Sequence, residues 1–317
     1  MARIGVIGRS FGSAIATHLK RKGQEEIVLC HPRHGLSDLA DCDVLILAFP
    51  ALAYPDLIAK MKEQLQWSAT QPRLLISVTK GLVWGSGGVQ LPSEYLSDQL
   101  PSLTFFYAHL VGPAYADDLL NHRIVREVVA AKSPLTIERV RILFTSDRFG
   151  VYGSSDLFGV QAAAAFRPIA STVLGAAYGL TEKVPELSGS AFGSIFSRLI
   201  AECRRLVVHF GGNPRSVDGQ AGLADLVMCG NPETGQYSRN WQFGRLLSEG
   251  MSTSEALERI GSTVEAPNTV QALCRGVKGF NDLDMPYTKA LYQVLQGQSV
   301  REQYQQIMNR EPGDELA

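Results

Sequence analysis

The chain has 317 residues, enough for two domains with a sizeable core. Apolar residues make up 45% and charged residues 19%, a composition that excludes intrinsic disorder. A net charge of −1 offers no field to recruit nucleic acid or anionic lipid, and no apolar run approaches the ~20 residues of a membrane helix. The cysteines at 30, 42, 203, 229 and 274 are scattered, without the close pairs of a zinc or redox site. Free thiols in a reducing cytoplasm and no metal are therefore expected. Met1 opens directly into a strand-like run, with no signal peptide.

The first predicted element is the β-branched run RIGVIG, followed by the helical pattern FGSAIATHLKRKG. This is the order of a dinucleotide-binding strand–turn–helix, in which glycines make the turn, admit the pyrophosphate and let the helix pack on the strand. Gly8 can serve as the first glycine and Gly12 as the last; the middle one is absent and the loop is one residue short. Alone, the stretch reads equally as a cofactor turn or as an ordinary tight turn. The helix N-terminus is available to a phosphate in either case.

EEIVLC (25–30) is a second strand, ending in the basic cluster His31, Arg33 and His34. An NAD-selective site carries an acid near this point, so the cluster suits a 2′-phosphate, and equally a solvated basic turn. LSDLADC is a short helical turn, and DVLILAFP (43–50) is continuously apolar, as strands buried on both faces are. ALAYPDLIAKMKEQL follows as helix and RLLISVTKG (73–81) as strand; LTFFYAHLVGP and EVVAAK continue the strand pattern. The alternation predicts a Rossmann-type doubly wound α/β sheet over 1–152. DRFGVYGSSD (147–156) reads as a Gly/Ser-rich connector. An all-helical domain is then expected over 153–317, from long patterns at 159–180 and 189–211 and amphipathic ones at 253–260 and 286–297.

Several motifs keep a fixed order: AFP (48–50), SVTKG (77–81), VGPAYA (111–116), GLADL (222–226), SRN (238–240) and Glu265 in STVEAPNT. As an ordered set they resemble the NAD(P)-dependent sn-glycerol-3-phosphate dehydrogenase family, bacterial type, from about residue 3 to about 295. The resemblance implies NADP(H) or NAD(H) as cofactor and reduction of dihydroxyacetone phosphate to sn-glycerol 3-phosphate for phospholipid synthesis. It places Gly8, Ser10, Phe11, Gly12, Lys80, Ala116, Arg239 and Glu265 at the cofactor, to which the basic cluster adds His31 and Arg33. Lys80, Gly112, Ala114, Asp225, Ser238, Arg239 and Asn240 fall at the substrate, which is a small phosphorylated molecule. Ala114 replaces a family hydroxyl. A homodimer is the oligomer to test.

The departure with the greatest chemical weight lies in the first helix of the second domain. The family pattern G-V-E-x-x-G-x-x-K-N reads here as Gly159 to Pro168, so that Gln161 replaces the acid, Arg167 the catalytic lysine and Pro168 the asparagine. Lysine can be tuned towards neutral pH and move a proton, whereas arginine stays charged and stabilises an oxyanion without donating. Pro168 is expected to bend the helix. Lys183, the next lysine, has nothing to place it at the site, and Ser188–Phe192 loses the polar groups of a second family stretch. Lys80, Arg167 and Asp225 are the expected catalytic set. The rival readings are a regulatory dinucleotide-binding homologue without efficient turnover, and a reductase of another ketone.

Overall fold

Successive residues of a strand face opposite sides of a sheet, so a strand covered on both faces must be apolar throughout. The computed structural model describes residues 2–31, 33–65, 72–85, 87–101, 104–181, 184 and 189–311. Its strands are β1 (Ile4–Gly8), β2 (Ile27–Cys30), β3 (Val44–Ala48), β4 (Arg73–Ser77), β5 (Val83–Gly85), β6 (Gly88–Gln90), β7 (Phe105–Val111), β8 (Val125–Ala130) and β9 (Phe149–Ser154). Among the described residues β5 and β6 form a hairpin, and the others a seven-stranded sheet in the order β2-β1-β3-β4-β7-β8-β9. All neighbours in that sheet are parallel except β7 and β8.

The two faces can be read from the side chains. Ile4, Val6, Val44, Ile46, Leu74 and Ile76 face one layer, with Ile15 and Leu19 of α1 (Ser10–Arg21) and Val140 and Phe144 further along the chain. Ile7, Leu45, Leu47 and Leu75 face the other, under Leu57, Ile58 and Met61 of α2 (Tyr54–Gln64) and Leu96 of α3 (Pro92–Gln99). Two further helices, α4 (Ala116–Leu120) and α5 (Pro134–Phe144), complete the sheet region; α5 carries Val140 and Phe144. This is the doubly wound sheet expected from the alternation.

The stretch 147–156 is not the connector its glycines suggest. It contains β9, paired along its length with β8. A Cβ on Gly150 would stand 2.6 Å from Arg126 Cδ, and one on Gly153 2.7 Å from Ile137 Cγ2, so these glycines make room for neighbouring side chains rather than for a turn.

After Ser154 the described elements are helical: α6 (Leu157–Thr181), α7 (Gly189–His209), α8 (Asp225–Gly230), α9 (Pro232–Gly235), α10 (Arg239–Ser248), α11 (Thr253–Ile260), α12 (Ala266–Gly276), α13 (Pro286–Leu295) and α14 (Val300–Met308). Helix α6 continues through Pro168, whose ring removes one backbone donor. Of the described helices, α6 alone is long and apolar enough to cross a membrane, against the reading of the sequence; the window that qualifies is 94% buried, as in a core helix. Lys183 and Ser188 lie outside the described residues.

Contacts divide the chain into two bodies, Met1–Arg167 with Cys203–Leu226, and Pro168–Glu202 with Val227–Ala317. The division therefore does not fall at residue 152: the first body takes the start of α6 and the whole excursion 203–226. Asp156 anchors that excursion, accepting from Gly159 N (3.0 Å) on one oxygen and from Asn213 N (2.9 Å) and Ser216 Oγ (2.5 Å) on the other. Beside it Gly212 passes Gly159 so closely that a Cβ would lie 2.3 Å from the Gly159 Cα.

In the second body, small residues let helices meet backbone to backbone. A Cβ on Gly244 of α10 would lie 1.9 Å from the Thr172 carbonyl of α6, and one on Gly175 2.1 Å from that of Trp241. Glu202 of α7 is fully buried at the start of α13, accepting from Tyr287 N (2.6 Å), Thr288 N (3.1 Å) and Thr288 Oγ1 (2.6 Å). Burial outweighs these bonds and pushes its carboxyl up to about 7. The native state thus holds a proton that an unfolded glutamate, at about 4.5, has released. Stability is expected to fall as pH rises from about 4.5 to about 7, and to lose this dependence above. Each kcal/mol shifts Tm by ~2–4 °C at this size, so calorimetry across that range resolves the slope, and Glu202→Gln reduces it.

Candidate active site

Each residue of the centre is held by its own local device within the first body. The segment after β4 is fixed through its hydroxyls: Ser77 Oγ bonds Tyr54 OH (2.7 Å), and Thr79 Oγ1 donates to Phe49 O (2.8 Å). Lys80 follows, at the carboxyl ends of the parallel strands where ligands collect in such sheets. Its Nζ donates to Gly112 O (2.7 Å) and to Asp225 Oδ2 (2.5 Å). Gly112, just past β7, lies against β8; a Cβ there would stand 2.8 Å from Glu127 Cα and 3.0 Å from Arg126 O. Only glycine brings that carbonyl to Lys80.

Asp225 begins α8 directly after a π-helical turn, Gln220–Ala224. The wider turn is made possible by Gly222, where a Cβ would lie 2.2 Å from Val217 O. The Asp225 carboxylate is fully buried, with Lys80 on Oδ2 and Arg167 Nε 3.0 Å from Oδ1. The Arg167 guanidinium also lies 5.8 Å from the ring centre of Tyr115. Lys80, Arg167 and Asp225 are thus brought together, as one carboxylate bridging two cations, with the Gly112 carbonyl on Lys80.

The surroundings tune these groups. Burial, with the Arg167 charge adding to it, outweighs the Asp225 carboxylate and holds the Lys80 ammonium below its usual range. Glu127 of β8 is 2% exposed, and burial pushes its carboxyl up to about 7, with Lys80 opposing and Asp225 adding. His109 of β7 is driven down to about 3 by burial and by Lys80, so its ring is neutral. Its Nδ1 lies 3.0 Å from Tyr107 OH, which donates to Gln161 Oε1 (3.3 Å). Gln161 also accepts from Ser93 N (3.0 Å), and its Nε2 donates to Ser93 Oγ (2.8 Å) and Leu157 O (3.1 Å). An amide serves all four bonds; a carboxylate would lack the two it donates.

At the nucleotide end, a Cβ on Gly8 would lie 2.4 Å from Ala48 O, and one on Gly12 3.4 Å from Ala48 Cβ. Gly8 thus has no room for a side chain, Gly12 is in ordinary contact with β3, and Arg9 alone stands between β1 and α1. Ser10 is exposed at the start of α1, and Phe11 packs on the core beneath it. Beyond β2, Arg33 N donates to His31 Nδ1 (3.1 Å), and the His31 and His34 rings stand 5.3 Å apart. Partial desolvation and the charges of Arg9, His34 and Arg33 lower the proton affinity of His31. A basic cluster thus gathers at the ends of β1 and β2, and it includes Arg9, which the sequence reading passed over. Ala114 is buried, and Ala116 opens α4.

Ser238, Arg239, Asn240 and Glu265 belong to the second body. SRN is a helix start, as its composition suggested, with Ser238 in the N-cap position of α10. The buried Ser238 hydroxyl makes no cap bond and pairs with Ser171 Oγ (3.0 Å). Asn240 Oδ1 accepts from Glu265 N (3.1 Å) and Ala266 N (3.0 Å), which holds the start of α12. Arg239 is exposed on the first turn of α10.

A Rossmann-type sheet with its glycine turn and a buried lysine–aspartate–arginine centre are the parts of a nicotinamide-nucleotide dehydrogenase. Residues 34–136 match the family model for the NAD-dependent glycerol-3-phosphate dehydrogenase N-terminus, and 156–306 that for its C-terminus. Glycerol-3-phosphate dehydrogenase [NAD(P)+] of Bacillus mycoides is 32% identical over 275 residues, 86% of this chain and 76% of that one. A Lactobacillus delbrueckii enzyme of that name is 28% identical over 100% of this chain and 99% of its own. The crystal structure of glycerol-3-phosphate dehydrogenase from Coxiella burnetii shares the fold, with a TM-score of 0.86 at 23% identity over 98% of this chain and 99% of that one. The chain belongs to the NAD(P)-dependent glycerol-3-phosphate dehydrogenase family.

Glu127, Tyr115 and His109 were not singled out in the sequence. Glu127 left only a weak signal, as one of two adjacent charged residues in the strand VREVVA.

Proposed function

We propose that the chain reduces dihydroxyacetone phosphate to sn-glycerol 3-phosphate in the cytoplasm, as a supply for phospholipid synthesis, with NADPH preferred to NADH. The observation that carries this reading is the Lys80–Asp225–Arg167 centre in a chain of this family. The nucleotide end fits the cofactor: Gly8 leaves no room for a side chain, α1 presents its N-terminus, and Arg9, His31, Arg33 and His34 supply positive charge. Gly8, Ser10, Phe11 and Gly12 would hold the pyrophosphate turn, and His31 and Arg33 the 2′-phosphate. When bound, the reduced nicotinamide supplies a hydride to the ketone carbon.

This chain's own residues account for charge and proton. Lys80 has two N–H groups committed, to Gly112 and Asp225, and its third can donate to the carbonyl oxygen. Its lowered proton affinity favours release to the nascent alkoxide. Arg167 stays charged and stabilises that oxygen electrostatically, while Asp225 fixes the orientation of both cations. In the second body, Arg239 and the N-terminus of α10 are assigned to the substrate phosphate. Ala116 and Glu265 are assigned to the cofactor, and a homodimer is the proposed assembly.

Nucleotide oxidation by the purified chain tests the reading. The expected result is oxidation dependent on dihydroxyacetone phosphate, with a lower KM for NADPH than for NADH. No turnover and no NADPH binding in a fluorescence titration would overturn the enzyme reading; binding without turnover would favour a regulatory homologue.

A further inference from the structure

Every reduction consumes one proton along with the hydride, and a centre built around arginine must renew it from elsewhere. Arg167 does not release a proton at ordinary pH. His109 is held neutral, with Nδ1 on Tyr107 OH. Lys80 has a proton to give, but once neutral it needs a donor before the next turnover.

Among the described residues of the first body, Glu127 is the buried carboxyl to which the proposed reaction gives no task. It flanks Gly112, the residue whose carbonyl receives Lys80, and it lies within Coulombic reach of both Lys80 and Asp225. The elements packed against it bring few charges. The π-helical turn Gln220–Ala224 lies on β8 and carries no ionisable side chain. On β9 its partner is Val151. Arg126, its neighbour, is engaged with Val125 O (2.9 Å) and Arg148 O (3.2 Å). Helix α5 also packs on β8; its Arg141 is engaged with Val151 O (3.1 Å) and Glu138 (2.9 Å), and Arg139 lies over the Phe106 ring, while His109 on β7 is neutral. The charged groups that act on Glu127 are Lys80, from the segment after β4, and Asp225, from the start of α8.

We propose that Glu127 is the proton reservoir of this site: a positioning residue that reprotonates Lys80 after each reduction. The inference rests on the reductase reading. In the first transfer a Lys80 N–H bond breaks as the product O–H forms, and the electron pair stays on nitrogen. In the second the Glu127 O–H bond breaks, directly or through one water, the Lys80 N–H bond is remade and a carboxylate remains. That carboxylate takes a proton from solvent before the next turnover. No electrons move in these two steps; the nucleotide is oxidised and the ketone reduced in the hydride step alone. Burial keeps Glu127 loaded up to about pH 7.

Glu127→Gln and Glu127→Asp in the full chain test this through two readouts. In turnover, wild-type kcat for reduction is expected to fall as pH rises through about 7. Glu127→Gln should lower kcat by ~10–100-fold and lose that limb, at the lower part of the range for acid–base help. Glu127→Asp should recover part of both, with NADPH binding unchanged in all forms. A limb near 7 that persists in Glu127→Gln, or joint loss of activity and NADPH binding, would overturn the proposal. Without ligands, and in a Glu202→Gln background that removes the other buried carboxyl raised to about 7, infrared difference spectroscopy should show a carboxyl band that titrates near 7, vanishes on adding Glu127→Gln and moves to higher pH on adding Lys80→Met. No such band, or one indifferent to Lys80→Met, overturns the proposal whatever the turnover. If the coupled band is present but dihydroxyacetone phosphate is not reduced, the substrate assignment fails and the Glu127–Lys80 coupling stands.

Discussion

Replacing Asp225 with alanine is expected to remove activity and much of the stability of the first body together. The carboxylate is fully buried between Lys80 and Arg167, so its loss leaves two cations side by side in a dry site. Breaking a buried pair in this way costs ~3–5 kcal/mol, because the remaining charge has no water to turn to. The expected Tm drop is ~6–20 °C, at ~2–4 °C per kcal/mol. kcat/KM should fall by ~10³-fold or more, since Lys80 loses the partner that aims it and general acid catalysis alone is worth ~10²–10⁴. The double variant Lys80→Met with Asp225→Ala separates the two effects. Removing one cation should restore part of the Tm and none of the activity. Activity of Asp225→Ala within tenfold of wild type would reduce the residue to a structural tie.

Arg167 is expected to act through its charge. Arg167→Ala should lower kcat by ~10²–10³, the usual cost of removing one stabiliser of a developing oxyanion. Stability should suffer less than in Asp225→Ala, because Asp225 keeps Lys80 as its partner. Arg167→Lys should fall between the two, within about tenfold of wild type. It keeps the charge but loses the planar group whose Nε lies 3.0 Å from Asp225 Oδ1 and which lies over Tyr115. A kcat above wild type in Arg167→Lys would show instead that proton supply at this position limits the present chain.

Much of this centre was legible because its parts are local. Strand, glycine turn and helix at 4–19 announce themselves by spacing, and SVTKG and GLADL each carry the residues that hold their own charged group. The glycines of 147–156 misled, because local preference marks them as a connector, yet β9 runs through Gly150 and Gly153. There tertiary neighbours decide, as Arg126 and Ile137 do by filling the space beside the glycines. Glu127 was passed over because its meaning depends on Gly112, Lys80 and Asp225, far away in the chain. The available clue was an acid beside Arg126 in a strand that is apolar in its other four residues.

The excursion 203–226 sets a rule for anyone recombining members of this family. A graft cut at the end of the sheet would take Arg167 and Asp225 from one parent and Lys80 from the other. The bodies instead exchange at three seams, after 167, 202 and 226. Chimaeras spliced there inherit the bridged cations from a single parent, with Asp156 and the Gly159–Gly212 crossing intact. Modularity in this chain follows the path of its contacts, and one contiguous cassette does not contain it.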